Sequence, residues 1–407
     1  MYGPILSFVQ FVARCVQMHV LPSDGESFRL IVPGSGSKKN SDYAPADSDD
    51  NTRIDIGLVG AQVGESITAK RSGDYYAIRA VLEAKRSRGD VEDAFAQLYD
   101  YSRHLFSERH NLRFAWGLTV CGVDVRACHF GPDRAVASKP MDVSTAAGRC
   151  AFIRLLVEWS LCDDSLLGRD PTIGYMKAEG CWWIDCYDDK DSGISEKTTY
   201  YFNTTICIAD RLFGRHTRCF PATSVRPTKK LAEGESLKAT VVIKDAWAFA
   251  KPTAQEDDRD EVKSLRSIRD AFEGGDFGDL VYPEIEVGGR VRFKMGDETV
   301  QDTTSTLYKN CSPDLKKVLD DNNLFRAHRR IAMSSMGERL GTVRDVKEFV
   351  TVLYDAMRCH HAIVEHCRIL HRDISDNNIL VVRKGDEPVR GLLIDFDCAV
   401  NIDAEKS

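Results

Sequence analysis

His371-Arg372-Asp373-Ile374-Ser375-Asp376-Asn377-Asn378-Ile379-Leu380 sets carboxylates and amides in a loop that runs into a strand, and Leu393-Ile394-Asp395-Phe396-Asp397 ends a second strand on another carboxylate. Phosphoryl transfer needs a carboxylate near the attacking hydroxyl and two more oxygen donors to hold magnesium against the phosphates of a nucleotide. Strands at Ile379–Val382 and Leu392–Ile394, paired as a hairpin, would bring Asn378 beside Asp395. Asp373, Asn378 and Asp395 then supply the three donors. A His-Arg-Asp tripeptide alone is short enough to arise by chance; Asn five residues on and Asp-Phe at hairpin distance give it weight.

These residues resemble the catalytic and metal-binding loops of the protein kinases, and in particular those of the fungal-type protein kinase family. Glu83–Ser87 with Ala94–Arg103, Phe130–Ser138 and Leu166–Tyr175 are similar to the region preceding the kinase core in that family, so the likeness covers most of the chain. The resemblance implies that Asp373 is the catalytic base and that Asn378 and Asp395 bind Mg2+. It further implies that Lys244, at the end of the strand Ala239–Ile243, holds the phosphates of ATP. Its ion-pair partner would be Glu261, or Glu256 if the next helix begins sooner. Leu212–Thr217 stands where the glycine-rich loop should lie, with Gly214 alone of the three glycines.

The sequence also departs from the pattern. Ser375 replaces the lysine usual in serine/threonine kinases, although the fungal-type family resembles this chain there, and Asp397 replaces the glycine of the metal-binding triplet. Only ten residues follow Asp397, so an activation segment and peptide-binding helices are not expected within this sequence.

Helical spacing over Val346–Cys367 puts Phe349, Leu353, Met357 and Val364 on one stripe, and Glu261–Phe272 is a second predicted helix. Aromatic and β-branched runs at Trp182–Tyr187 and Thr198–Ile208 about an Asp191–Gly193 turn, with Ala239–Ile243, predict a β-rich lobe. Gly168–Gly174 has the punctuation of a boundary. Before it, strand-length runs at Arg53–Val59, Tyr75–Ala84, Arg113–Val120 and Val123–Phe130 accompany helices at Val91–Phe106 and Ala151–Trp159. This predicts an α/β unit with a mixed sheet. Pro33–Thr52, nearly bare of large apolar residues, is expected to be a mobile loop. Met1–Val20, interrupted by Gln10 and Arg14 and without a basic leader, reads as a helix and not as a secretion signal.

Within that first unit, Asp55 and Glu83-Ala84-Lys85 end two predicted strands, and the next helix carries Gln97 and Tyr101. The set resembles the core of the restriction-endonuclease-like superfamily of PD-(D/E)xK type. Two carboxylates would hold a divalent cation while the lysine orients water toward a phosphodiester. Lys70, Arg71, Arg86, Arg88 and Arg103 could track nucleic-acid phosphates. The plainer reading is a solvated strand end with Glu83 and Lys85 side by side. Cys359, His360, His361, His366 and Cys367 spread around one helix and read as structural or solvated. Trp182 and Trp183 read as core.

At 407 residues the chain exceeds one core and suggests roughly two or three domains. No stretch approaches the roughly 20 apolar residues of a membrane span, so no membrane partner is expected. A net charge of −7 excludes a molecule-wide attraction for nucleic acid and leaves a local groove open. Thirteen cysteines without a Cys-x-x-Cys pair speak against a disulfide framework or a zinc ribbon and imply a reducing intracellular setting, cytoplasm or nucleus.

The expectation is an α+β chain: an α/β restriction-endonuclease-like domain over residues 1–175, then a protein-kinase-like domain over 176–407 with a β-rich N-lobe and a partial helical C-lobe. Its expected activity is ATP- and Mg2+-dependent phosphorylation of protein serine or threonine. The alternatives are an ATP-binding scaffold that transfers nothing, a small-molecule kinase of aminoglycoside or choline type, which Ile394-Asp395-Phe396-Asp397 also resembles, and a metal-dependent nuclease acting through the first domain.

Overall fold

The structure, a computed structural model, describes residues 8–9, 12, 28–31, 56–60, 78–189, 195–209, 211–232, 234–250, 260–309, 311–321, 325–385 and 387–403. Asp55, Lys70, Arg71, Glu256, the Asp191–Gly193 turn and the Pro33–Thr52 loop lie outside the described residues. Two compact units emerge, one of Met1–Pro171 with Ala209–His216, the other of Thr172–Ile208 with Thr217–Ser407. Helix and strand are mixed in both. No described helix is long and apolar enough to cross a membrane.

The first unit is built on a mixed sheet. Its strands are β1 (Phe28–Ile31), β2 (Ile56–Gly60), β3 (Ile78–Lys85), β4 (Ala115–Cys121), β5 (Asp124–Phe130) and β6 (Ala135–Ala137) in that spatial order, with β7 (Met141–Asp142) also on β5. β3 and β4 run parallel and are joined by helix α1 (Val91–Glu108), because a parallel pair needs a crossover; the other pairs are antiparallel. Successive residues of a strand face opposite sides. Ala80, Leu82 and Ala84 therefore join Phe152, Leu156 and Trp159 of α2 (Ala146–Leu161), while Val81 joins Leu98, Tyr101 and Leu105 of α1. α2 begins five residues before the predicted helix, where the Thr145 hydroxyl accepts the Gly148 N–H at 3.0 Å.

In the second unit β8 (Ile173–Met176), β9 (Cys181–Asp189) and β10 (Ser195–Phe202) form a three-stranded sheet. A five-stranded antiparallel sheet follows, in the order β11 (Cys207–Ile208), β12 (Arg218–Ala222), β13 (Val241–Phe249), β17 (Arg326–Met333) and β14 (Ile285–Arg290). Helix α3 (Glu261–Gly274), the hairpin β15 (Arg292–Met295) and β16 (Glu298–Gln301), and helices α4 (Thr304–Leu307) and α5 (Pro313–Asp321) intervene along the chain. After β18 (Glu338–Arg339) come the long helix α6 (Val346–Cys367), β19 (Ile369–Leu370), β20 (Ile379–Val382), β21 (Arg390–Leu393) and β22 (Val400–Asn401). Ile173, Ile184, Tyr200 and Phe202 pack on Phe220, Val241 and Ile243 at one face of the larger sheet. Ile331 packs with α3, α6 and Phe396 at the other.

Two strand expectations change. Thr198–Ile208 is not one strand: Asn203 breaks it, its amide donating to Glu235 O at 2.6 Å and its Oδ1 accepting Leu237 N–H at 3.1 Å, and β11 joins another sheet. Lys244 does not end its strand either. β13 continues to Phe249, because the next charged residue, Asp245, is buried among cationic partners rather than solvated.

Candidate active site

Lys244 and Asp245 are neighbours in β13, so their side chains leave opposite faces of the sheet. Lys244 is 6% exposed, and its ammonium donates to both Glu261 oxygens at 2.8 Å. It also bonds Asp395 Oδ1 and lies 3.7 Å from Asp397 Oδ2. Burial alone would lower its pKa, but Glu261 and Asp395 outweigh that and hold it well above the ordinary lysine value.

Glu261 reaches Lys244 because it opens α3. Asp260 caps that helix, its Oδ1 accepting Val262 N–H at 3.0 Å, and a carboxylate in the first turn suits the helix dipole.

The Asp373 loop is fixed through His371, which is fully buried. Its Nδ1 accepts the Asp373 N–H at 3.2 Å, so its Nε2 carries the proton and donates to Ile394 O at 2.9 Å. The imidazole ties the two loops together and stands edge-on to Phe396, with ring centres 4.5 Å apart. Asn378 donates from Nδ2 to Asp373 O at 2.8 Å and to Asp373 Oδ2 at 3.3 Å, while its backbone carbonyl accepts Ile394 N–H at 2.9 Å. Arg372 and Asp395 hold positive φ of 67° and 69°, sparsely populated for non-glycine residues.

Glu261, Asp395 and Asp397 each offer a carboxylate oxygen, and these atoms lie within 4.8 Å of one another. Such a set of hard oxygen donors fits magnesium. Sequence reasoning took Asp397 only as a lost glycine and missed its place here. The spacing Asp395-Phe396-Asp397, in which a short turn buries the phenyl ring while both carboxylates stay near Lys244, was the available signal.

The other expected groups lie elsewhere. The segment bearing Gly214 belongs to the first compact unit, where Leu212 enters the α1 core and Gly214 N–H donates to Pro132 O at 2.9 Å. In that unit Lys85 Nζ lies 2.8 Å from Glu83 Oε1 and 2.7 Å from Gln97 Oε1, and Tyr101 donates to Glu83 Oε2 at 3.2 Å. Cys359 is core, the His360 Nε2 accepts the His371 N–H at 3.4 Å, and His366 meets the edge of Phe277. Trp182 packs against the core of the smaller sheet.

Behind Lys244, on the opposite face, His328 bridges Asp245 Oδ1 at 2.7 Å and Asp302 Oδ2 at 2.9 Å, and Arg330 Nε meets Asp245 at 2.7 Å. Burial works against charge on His328, but Asp245 and Asp302 hold it up at about 9. A cavity of about 860 Å3 along α3 is lined by Asp188, Asp189, Arg266, Arg290, Arg292 and Arg329 among others. No candidate catalytic residue lines it, and its charges pair with one another, as Arg266 does with Asp188 at 2.6 Å.

A sequence profile described as fungal protein kinase matches residues 53–407. No curated protein matches the chain.

Proposed function

Since the chain belongs to the fungal protein kinase family, we propose that its second compact unit transfers the γ-phosphoryl group of ATP to a serine or threonine hydroxyl of a protein. The observation that carries this reading is the joining of Lys244 to Glu261 and to Asp395, the last pair separated by 151 residues. Positioning and charge stabilisation are most of what phosphoryl transfer asks of a protein.

Lys244 would hold the nucleotide phosphates and Glu261 would keep it aimed. Asp373, its backbone held by His371 and its carboxylate by Asn378, would accept the proton of the attacking hydroxyl. Asp395 and Asn378 would bind Mg2+, which neutralises phosphate charge when bound. The carboxylates of Asp397 and Glu261 extend the donor set. The test is Mg2+-dependent ATP turnover, with a protein acceptor and with amino-alcohol acceptors, for the wild type, Asp395→Asn and Asp373→Asn. Turnover with protein that both variants lose supports the reading. Bound ATP without turnover in the wild type replaces it with a nucleotide-binding scaffold, and transfer only to amino-alcohols replaces it with a small-molecule kinase.

A second reading concerns the first unit. The convergence of Glu83, Lys85, Gln97 and Tyr101 on one face of β3 and α1 favours a metal-dependent phosphodiesterase site acting on nucleic acid. DNA cleavage with Mg2+ that survives Glu83→Ala would end it.

A further inference from the structure

Cys207 and Cys219 are register partners on the antiparallel strands β11 and β12. Directly opposed residues of such a pair have Cα atoms about 4.5–5.5 Å apart and side chains on one face. That span lies within the roughly 4.4–6.8 Å that a disulfide requires. Among the described strand registers no other sets two cysteines opposite each other. The position matters as well, because Cys219 is in turn the register partner of Lys244 on β13.

The two thiols are unequal in a way that suits oxidation in two steps. Cys207 is exposed and reachable by a small oxidant, whereas Cys219 is half-buried. The hydrogen bond from Cys219, helped by Arg339 and Lys244 and opposed by burial, brings Cys207 down to about 7. The same contact, with burial, holds Cys219 up. A plain packing role would explain two buried thiols at a strand end, but not an exposed one poised to be a thiolate beside a second sulfur.

We propose that Cys207 and Cys219 are a modification site, converted reversibly by a hydroperoxide into a disulfide that pins β11 to β12 beside Lys244. The Cys207 thiolate attacks one peroxide oxygen, breaking the O–O bond, and becomes a sulfenic acid while the other oxygen leaves as hydroxide and is protonated to water. The Cys219 sulfur then attacks the oxidised sulfur, forming the S–S bond; the sulfenic hydroxyl leaves with the Cys219 proton as a second water. Two thiols and one hydrogen peroxide thus give one disulfide and two waters. An exposed disulfide of this kind is open to attack by a thiol reductant, which returns both cysteines.

The strand carrying Cys219 lies against the one carrying Lys244, so the bond stiffens the sheet where the phosphates of ATP are expected to sit. This consequence, weaker ATP binding after oxidation, rests on the reading given under Proposed function; the thiol chemistry does not.

The test treats the full reduced chain with hydrogen peroxide, caps remaining thiols with N-ethylmaleimide and follows mass and tryptic peptides. The expected result is a loss of about 2 Da for the bond and one cross-linked species joining the tryptic peptides 198–211 and 219–229. Dithiothreitol reverses it, and Cys207→Ser and Cys219→Ser each abolish it while keeping the wild-type circular dichroism spectrum. Capping of both cysteines after peroxide treatment, or Cys207 joined to any other cysteine, overturns the assignment. ATP affinity measured by calorimetry on the same samples is expected to fall on oxidation of the wild type and not of Cys207→Ser. If the reduced chain binds no ATP, the nucleotide reading fails while the cross-linked peptide still decides the thiol pair.

Discussion

An ammonium removed from water is held by what faces it, and Lys244 faces Glu261, Asp395 and Asp397. Removing one partner of a buried ion pair leaves the other charges uncompensated, at a cost of about 3–5 kcal/mol. Lys244→Met is therefore expected to lower unfolding stability by about that amount and to abolish ATP binding. It also leaves three carboxylates close together, so Mg2+ should raise the melting temperature of the variant more than that of the wild type. Denaturation with and without Mg2+ measures this, and an equal response would remove Glu261, Asp395 and Asp397 as a cation site. On the opposite face, His328 has a folded pKa of about 9 against an ordinary 6.5. A pKa raised by folding stabilises fully below the unfolded value and ceases to as pH rises through the folded one. Burial would raise Asp245, but His328, Arg330 and Arg218 hold its carboxyl far below the ordinary range, so it keeps its charge across that window. The stability difference between wild type and His328→Gln should therefore be largest near pH 6 and shrink toward pH 10, by pH-dependent urea denaturation. A difference that does not change with pH would mean that His328 is neutral in the fold.

At the scale of elements, legibility followed the kind of burial. α6 was readable as a helix from its spacing, but its buried face was not: Phe349 and Met357 of the expected stripe are exposed, and Val352, Ala356, Cys359 and Ile363 enter the core instead. The β20–β21 pair was readable because apolar runs flank the Asp373 and Asp395 loops. β17, Arg-Ala-His-Arg-Arg-Ile-Ala-Met, was not. Its cations look like solvated surface, yet all but Met333 are buried, with His328 and Arg330 turned to Asp245 on one face and Arg329 paired with Asp260 near α3 on the other. Only knowledge of these partners makes it a central strand. The same lack of partner information ended β13 too early at Lys244. Packing between elements also leaves a mark that composition hides. A Cβ on Gly391 of β21 would lie 2.0 Å from the Val352 carbonyl oxygen of α6, so helix and strand approach at backbone distance. Gly391→Ala is expected to cost about 3 kcal/mol, the upper end for overpacking, since a helix backbone cannot move aside. Asp345→Ala, which removes the α6 cap accepting Glu348 N–H at 2.8 Å, should cost only about 1 kcal/mol. Urea denaturation of the two variants should rank them in that order; the reverse order would mean that the sheet yields to the helix.

Across the whole molecule, the chain does not divide at a single point. After β11 it leaves the second compact unit for Ala209–His216, counted with the first, and returns at Thr217. The sequence offered no sign of this, because Leu212-Phe213-Gly214 resembles an eroded glycine loop and its apolar residues carry no periodicity that names their partner. The structure supplies the partner: Leu212 is fully buried with Val81, Leu98 and Phe130, and Phe213 lies 5.6 Å from the Tyr99 ring. A leucine truncated in a closed core loses its transfer energy and leaves a cavity, together about 2–5 kcal/mol. Leu212→Ala should therefore weaken the sheet of the first unit, although Leu212 lies between two strands of the second unit's sheet in sequence. Amide hydrogen exchange on the full chain distinguishes the two origins. Protection in β3, β4 and α1 is expected to fall while that of β13 and β17 stays at the wild-type level. Loss confined to β11, β12 and β13 would instead return the segment to the second unit, and with it the expectation that Gly214 covers phosphate.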